Sequence, residues 1–83
     1  MTEQEILELC TRTLRDLLAD DSIVLGMDTT RAEVPGWDSF NYINFIAAIE
    51  MELSVKFNIT DVESFENVGA IVRRARALQS GRA

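Results

Sequence analysis

Gly36-Trp37-Asp38-Ser39-Phe40-Asn41-Tyr42-Ile43-Asn44-Phe45-Ile46-Ala47-Ala48-Ile49-Glu50-Met51-Glu52-Leu53 is the stretch whose reading decides the fold. Pro35-Gly36 breaks the chain just before it, and Asp38-Ser39 offers oxygens of the kind that cap a helix start. The stretch reads as a helix over residues 39–53. Placed at 100° intervals, its side chains form two apolar arcs. One holds Tyr42, Phe45, Ile46, Ile49 and Leu53; the other holds Phe40, Ile43, Ala47 and Met51. A helix apolar on most sides is normally buried on most sides. A chain of 83 residues can rarely surround a helix completely. The richer arc is expected to face the core. The second is either a docking face or a surface covered by the preceding loop, and periodicity alone leaves both open.

The elements on either side are helical too. Thr2, with Glu5 three residues on, has the pattern of a capping box. Ile6, Leu9, Cys10, Leu14, Leu17 and Leu18 then recur at helical spacing, predicting a helix over residues 3–19 that stops at Asp20-Asp21. Residues 20–37 show no sustained period and form a long loop, a length that often carries function. Ile23, Val24, Leu25 and Met27 are expected to pin that loop to the core through a short helical turn. Thr60, with Glu63 three residues later, predicts a short third helix over residues 61–65. Asn67 predicts a cap for a fourth, whose apolar face is Val68, Ile71, Val72, Ala75 and Leu78 and which ends at Ser80-Gly81. Residues 54–59 have some β character but no partner strand. The expected architecture is all-α: one domain over residues 1–83, four helices, a long first loop and a short third helix.

Charge divides the chain unevenly. All 14 acids fall within residues 1–66 beside only Arg12, Arg15, Arg31 and Lys56, a net −10, whereas residues 67–83 carry Arg73, Arg74, Arg76 and Arg82 and no acid. An acidic body repels nucleic acid and anionic lipid and attracts basic protein surfaces. The late arginines are expected to complement the dipole at the end of the last helix. No apolar run approaches the ~20 residues that span a bilayer. The acidic start, Met1-Thr2-Glu3-Gln4-Glu5, is unlike a signal peptide. A soluble, cytoplasmic monomer is the expectation. Cys10 is the only cysteine and lies in the first helix's apolar stripe, so it reads as a small buried hydrophobe. The chain has no His, no Cys pair and no Gly-rich phosphate loop. Glu50 and Glu52, two apart on a helix, diverge rather than converge on a metal. No catalytic or metal site is expected.

Gly36-Trp37-Asp38-Ser39-Phe40, followed by Ile43, Ala48-Ile49-Glu50, Glu52-Leu53 and Phe57, resembles the acyl carrier protein family. The hallmark there is Asp-Ser-Leu at the head of the second helix. The resemblance extends through residues 60–68 and covers essentially the whole chain. It implies a carrier rather than an enzyme, with 4′-phosphopantetheine joined to Ser39 through a phosphodiester. A helix N-terminus suits such an anion. Asp38 is implied to shape the junction and to assist the transferase's metal-bound substrate. The resemblance also implies that Phe40, Ile43, Ala47 and Met51 meet partner enzymes, and these residues are the spare arc of the helix. The implied partners are a phosphopantetheinyl transferase, an acyl- or aminoacyl-loading ligase and acyl-processing enzymes of fatty-acid-like or specialised biosynthesis. The chain departs from the family pattern at Phe40, where Leu is usual, and at Asn41, Asn44 and Met51, where acids are common. Its face is therefore more apolar, and together with Trp37 and Asn44 it looks more like stand-alone carriers of specialised pathways. An aminoacyl or peptidyl carrier shares the same fold and serine. An adaptor that bears no arm, with Ser39 only a cap, is a different class of reading.

Overall fold

The computed structural model describes residues 1–81, so Arg82 lies outside the described residues. Four α-helices follow one another: α1 Glu3–Leu18, α2 Ser39–Leu53, α3 Ile59–Ser64 and α4 Val68–Ser80. A single 3₁₀ turn, Arg31–Glu33, interrupts the loop between α1 and α2. Among the described residues there is no strand, and residues 54–58 form the link from α2 to α3.

α1 begins at the predicted capping box. The Thr2 hydroxyl accepts from Glu5 N–H at 3.1 Å, and the Glu5 carboxylate accepts from Thr2 N–H at 2.8 Å. The bond from Thr2 N–H favours the charged carboxylate, and the Glu5 pKa is lowered accordingly. The helix closes on Ala19 in the left-handed region, with φ 52°. Ile6, Leu9, Cys10 and Leu14 are buried, whereas Leu17 is exposed at the edge of the stripe. α1 packs against both α2 and α4, and the core lies between these three helices.

The long loop is held to that core at two places. Ile23 and Leu25 are buried and Met27 packs against the core, but Val24 points outward, 76% exposed. The expected helical turn among these residues does not form, and the loop's one 3₁₀ turn lies later, at Arg31–Glu33. There the Glu33 carboxylate accepts from both the N–H and the hydroxyl of Thr30, at 2.9 and 3.0 Å. The loop also docks on the head of α4. Val68 N–H donates to the Thr29 carbonyl at 2.9 Å, and Gly69 N–H to the Met27 carbonyl at 2.7 Å. A Cβ on Gly69 would meet that same Met27 oxygen at 2.7 Å, so only glycine permits the approach.

The third helix starts earlier than its sequence pattern suggests. Its cap is Asn58, not Thr60, with Asp61 as reciprocal partner. Asp61 also accepts from Arg74 Nε at 3.0 Å, tying α3 to α4. The helix ends at Ser64, and Phe65 meets Phe57 edge-on, with centroids 5.3 Å apart. The arginines of α4 do not serve as dipole complements, because no basic residue lies in its last described turn. Arg73, Arg74 and Arg76 lie mid-helix, and Arg74 is committed to Asp61. Val68, Ile71, Val72 and Ala75 are buried as expected, joined by Gly69, with Leu78 half-buried.

Candidate functional site at the head of the second helix

The approach to α2 is built by short-range bonds. Gly36 has φ +86°, a conformation that side-chain-bearing residues rarely adopt. Trp37 N–H donates to the Val34 carbonyl at 3.2 Å. The Asn41 side chain donates from Nδ2 back to the Gly36 carbonyl at 2.9 Å, bracing the turn from inside the helix.

Asp38 is the N-cap. Its carboxylate accepts from Asn41 N–H at 2.9 Å, and its carbonyl accepts from Tyr42 N–H at 2.8 Å. Ser39 is therefore the first helical residue rather than the cap. It is exposed, and its hydroxyl makes no hydrogen bond among the described residues. The first N–H groups of a helix lack intrahelical partners. With Asn41 and Tyr42 satisfied by Asp38, the N–H groups of Ser39 and Phe40 remain to face an anion.

Beside Ser39 opens a cleft of about 730 Å³. Its walls come from the end of the long loop, the head of α2, α3 and the start of α4. Trp37, Tyr42 and Val62 give it apolar surface; Arg31, Glu66 and Asn67 give it polar groups. The Tyr42 hydroxyl donates to the Val62 carbonyl at 2.7 Å, joining α2 to α3. The Arg31 guanidinium stands 5.0 Å above the Tyr42 ring. Partial burial raises the Tyr42 pKa, with Arg31 opposing, so the phenol stays protonated and able to donate at neutral pH.

The two arcs of α2 separate in the structure. Phe45, Ile46, Ile49 and Leu53 are buried and Tyr42 is half-buried. Phe40, Ile43 and Met51 are 75%, 58% and 81% exposed, and Ala47 is exposed between them. The loop does not cover this arc. Three large apolar residues therefore stand exposed on one arc of one helix. The strip also continues beyond α2. Ile59, at the start of α3, is 77% exposed and shares a shallow groove of about 320 Å³ with Ile43 and Ala47. Sequence reasoning missed Ile59 because it fell at the end of the β-like segment. Its place as the first residue after the Asn58 cap was the signal that could have found it.

Two further residues took roles the sequence did not reveal. Glu50 accepts from Phe57 N–H at 2.8 Å and so anchors the link from α2 to α3. Trp37 is 5% exposed and wedged against Phe45 and Tyr42. Among the described residues no group of His, Cys, Asp or Glu side chains is placed to hold a metal ion. No helix among them is long and apolar enough to cross a membrane.

No family model and no curated protein sequence matches the chain. The structure is similar to the solution structure of a holo acyl carrier protein from Geobacter metallireducens, with a TM-score of 0.83 and 28% identity, over 90% of this chain and 86% of that one. That protein shares the all-helical architecture described above. The shared fold, together with a serine at the head of the second helix, supports placing this chain in the acyl carrier protein family.

Proposed function

We propose that the chain is an acyl carrier domain that bears 4′-phosphopantetheine on Ser39. The observation that carries this reading is the division of labour at the head of α2. Asp38 does the capping, so the adjacent Ser39 hydroxyl is exposed and has no structural task. In the transfer, Ser39 Oγ gives up its proton and forms a bond to phosphorus in the pyrophosphate of coenzyme A. The phosphorus–oxygen bond to the nucleotide breaks, and adenosine 3′,5′-bisphosphate leaves. The residues fit the group that results. A phosphodiester on Ser39 lies at the N-terminal end of α2, whose first turn contains no acidic side chain. The arm's thiol supplies the chemistry, holding an acyl group as a thioester. The protein's own residues position the arm and present it to partners.

The exposed strip Phe40-Ile43-Ala47-Met51, extended by Ile59, is the surface proposed for those partners: the transferase, a loading ligase and acyl-processing enzymes. Its apolar character supports a dedicated partner of a specialised pathway. The decisive experiment is intact mass after incubation with a phosphopantetheinyl transferase, coenzyme A and Mg²⁺. The wild type gains one phosphopantetheine and Ser39→Ala gains none. No gain on the wild type sinks the carrier reading in favour of an unmodified adaptor, and a gain that survives Ser39→Ala sinks the site. Loading with amino acids in place of acyl groups would identify an aminoacyl carrier on the same serine.

A further inference from the structure

Trp37 carries a polar atom that the fold leaves without a partner. The residue is 5% exposed, and its indole Nε1 is buried with no hydrogen bond. A buried donor in that state has given up its bond to water and gained none in return. Buried tryptophans usually satisfy their N–H. The ring has little freedom to seek a partner. It meets Phe45 edge-on with centroids 5.0 Å apart, and it sits tilted against Tyr42 at 6.3 Å. Its backbone N–H is bonded to the Val34 carbonyl. Trp37 lies two residues before Ser39, and both line the same cleft.

We infer that Trp37 is a polar anchor for the prosthetic arm, its Nε1–H donating a hydrogen bond to an amide carbonyl of the pantetheine segment lying in the cleft beside Ser39. The inference rests on the reading of Ser39 as the attachment point. An indole N–H only donates, so its partner must supply an acceptor. The pantetheine segment contains two amides, whereas a hydrocarbon tail contains no acceptor and would leave the N–H orphaned. The cleft suits a chain of that mixed character. Tyr42, Val62 and Phe65 offer apolar surface to its methylene and methyl groups, and Thr29 and Asn67 offer polar groups to its amides. Desolvation of the donor is then offset when the arm is seated. Trp37 thus favours an arm folded against the protein over one extended in solvent.

Trp37 is the only tryptophan, so the indole gives a single, unambiguous ¹H–¹⁵N resonance. The test compares this resonance in the unmodified protein and in protein whose arm has been verified by intact mass. On modification the indole proton is expected to move downfield, to exchange more slowly with solvent and to show NOEs to protons of the arm. In Trp37→Phe bearing the arm, the arm's own amide protons are expected to exchange several-fold faster than in the wild type. An indole resonance that does not move, or that moves without NOEs to the arm, overturns the inference even if Trp37→Phe fails to fold. A stationary resonance is also what a resident water on Nε1 would give. Failure to gain mass overturns the Ser39 reading and this inference with it; a mass gain with a stationary indole overturns this inference alone.

Discussion

The Asp38 carboxylate accepts the backbone N–H of Asn41 at 2.9 Å, and by doing so it releases the neighbouring Ser39 hydroxyl from capping. The bond predicts how two substitutions at Asp38 differ. Asp38→Ala removes the acceptor and should cost about 1 kcal/mol of stability, the usual value of an N-cap. Asp38→Asn keeps an oxygen acceptor and should melt close to the wild type. If the carboxylate's charge also assists the transferase's metal-bound substrate, Asp38→Asn should be modified about tenfold more slowly, near the value of one charge-assisted contact. Thermal melts and the time course of mass gain, run on both variants, separate cap from charge. Equal modification rates for wild type and Asp38→Asn would remove the charge from the mechanism.

Gly69 should resist the substitution that normally stabilises a helix. In an open helix, Gly→Ala gains up to about 1 kcal/mol. Here the new Cβ would lie 2.7 Å from the Met27 carbonyl oxygen, which is itself held by the Gly69 N–H. Backbone cannot yield as a side-chain tip can, so the clash outweighs propensity. Gly69→Ala is expected to destabilise by about 1–3 kcal/mol, typical of overpacking. It should also loosen residues 27–29, of which Thr29 walls the cleft beside Ser39. Urea denaturation measures the first effect and amide exchange of Val68 the second. A variant as stable as the wild type would show that the loop can move away at no cost.

Much of this fold was legible because local signals agreed with one another. Thr2 with Glu5, the Pro35-Gly36 break and Asn67 set helix ends that the structure reproduces within a residue or two. The two arcs of α2 could be separated, but which of them was covered depended on where the long loop runs. That was decided by Val68 and Gly69 bonding to Thr29 and Met27, contacts between residues some 40 positions apart. The third helix failed for a related reason. Asn58-x-x-Asp61 and Thr60-x-x-Glu63 are equally good capping patterns two residues apart. The choice fell to Asn58, whose partner Asp61 also reaches Arg74, and α3 so placed receives the Tyr42 hydroxyl on Val62. Thr30-x-x-Glu33 is a further pattern of this kind, and it caps the loop's single 3₁₀ turn. The unpartnered indole of Trp37 was not visible at all, because a missing bond has no sequence signature.

Cys10 makes a prediction about alkaline stability. Its side chain is fully buried in α1, and burial pushes its thiol up to about 12 from an ordinary value of 9.0. Between those values the unfolded chain gives up a proton that the folded one retains. The unfolded state then binds fewer protons, so stability falls as pH rises through that window and is unaffected below it. The loss approaches about 1.4 kcal/mol per pH unit. Cys10→Ala lacks the titrating group, and other alkaline groups cancel in the comparison. Denaturation of both proteins at pH 8 and about pH 10.5 should show the wild type losing stability relative to the variant. A constant difference would mean that the thiol ionises freely in the folded state. The same burial predicts that a thiol reagent labels Cys10 only on unfolding.

The exposed strip on α2 predicts how partner binding responds to salt. An interface held mainly by surface charges weakens as the screening length falls from about 10 Å at 0.1 M salt to about 3 Å at 1 M. Burial of Phe40, Ile43, Met51 and Ile59 does not depend on that length, and excluded salts strengthen apolar burial slightly. The protein's affinity for a transferase, measured across this range, should therefore change little. Phe40→Ala should weaken binding by about tenfold, because full burial of such a side chain contributes about 1.5–3 kcal/mol. Met51→Ala should act in the same direction. Neither substitution should alter stability much, since both side chains are more than 70% exposed in the free protein. A steep loss of affinity with salt, combined with indifference to Phe40→Ala and Met51→Ala, would place the docking energy in the acidic residues of the body instead.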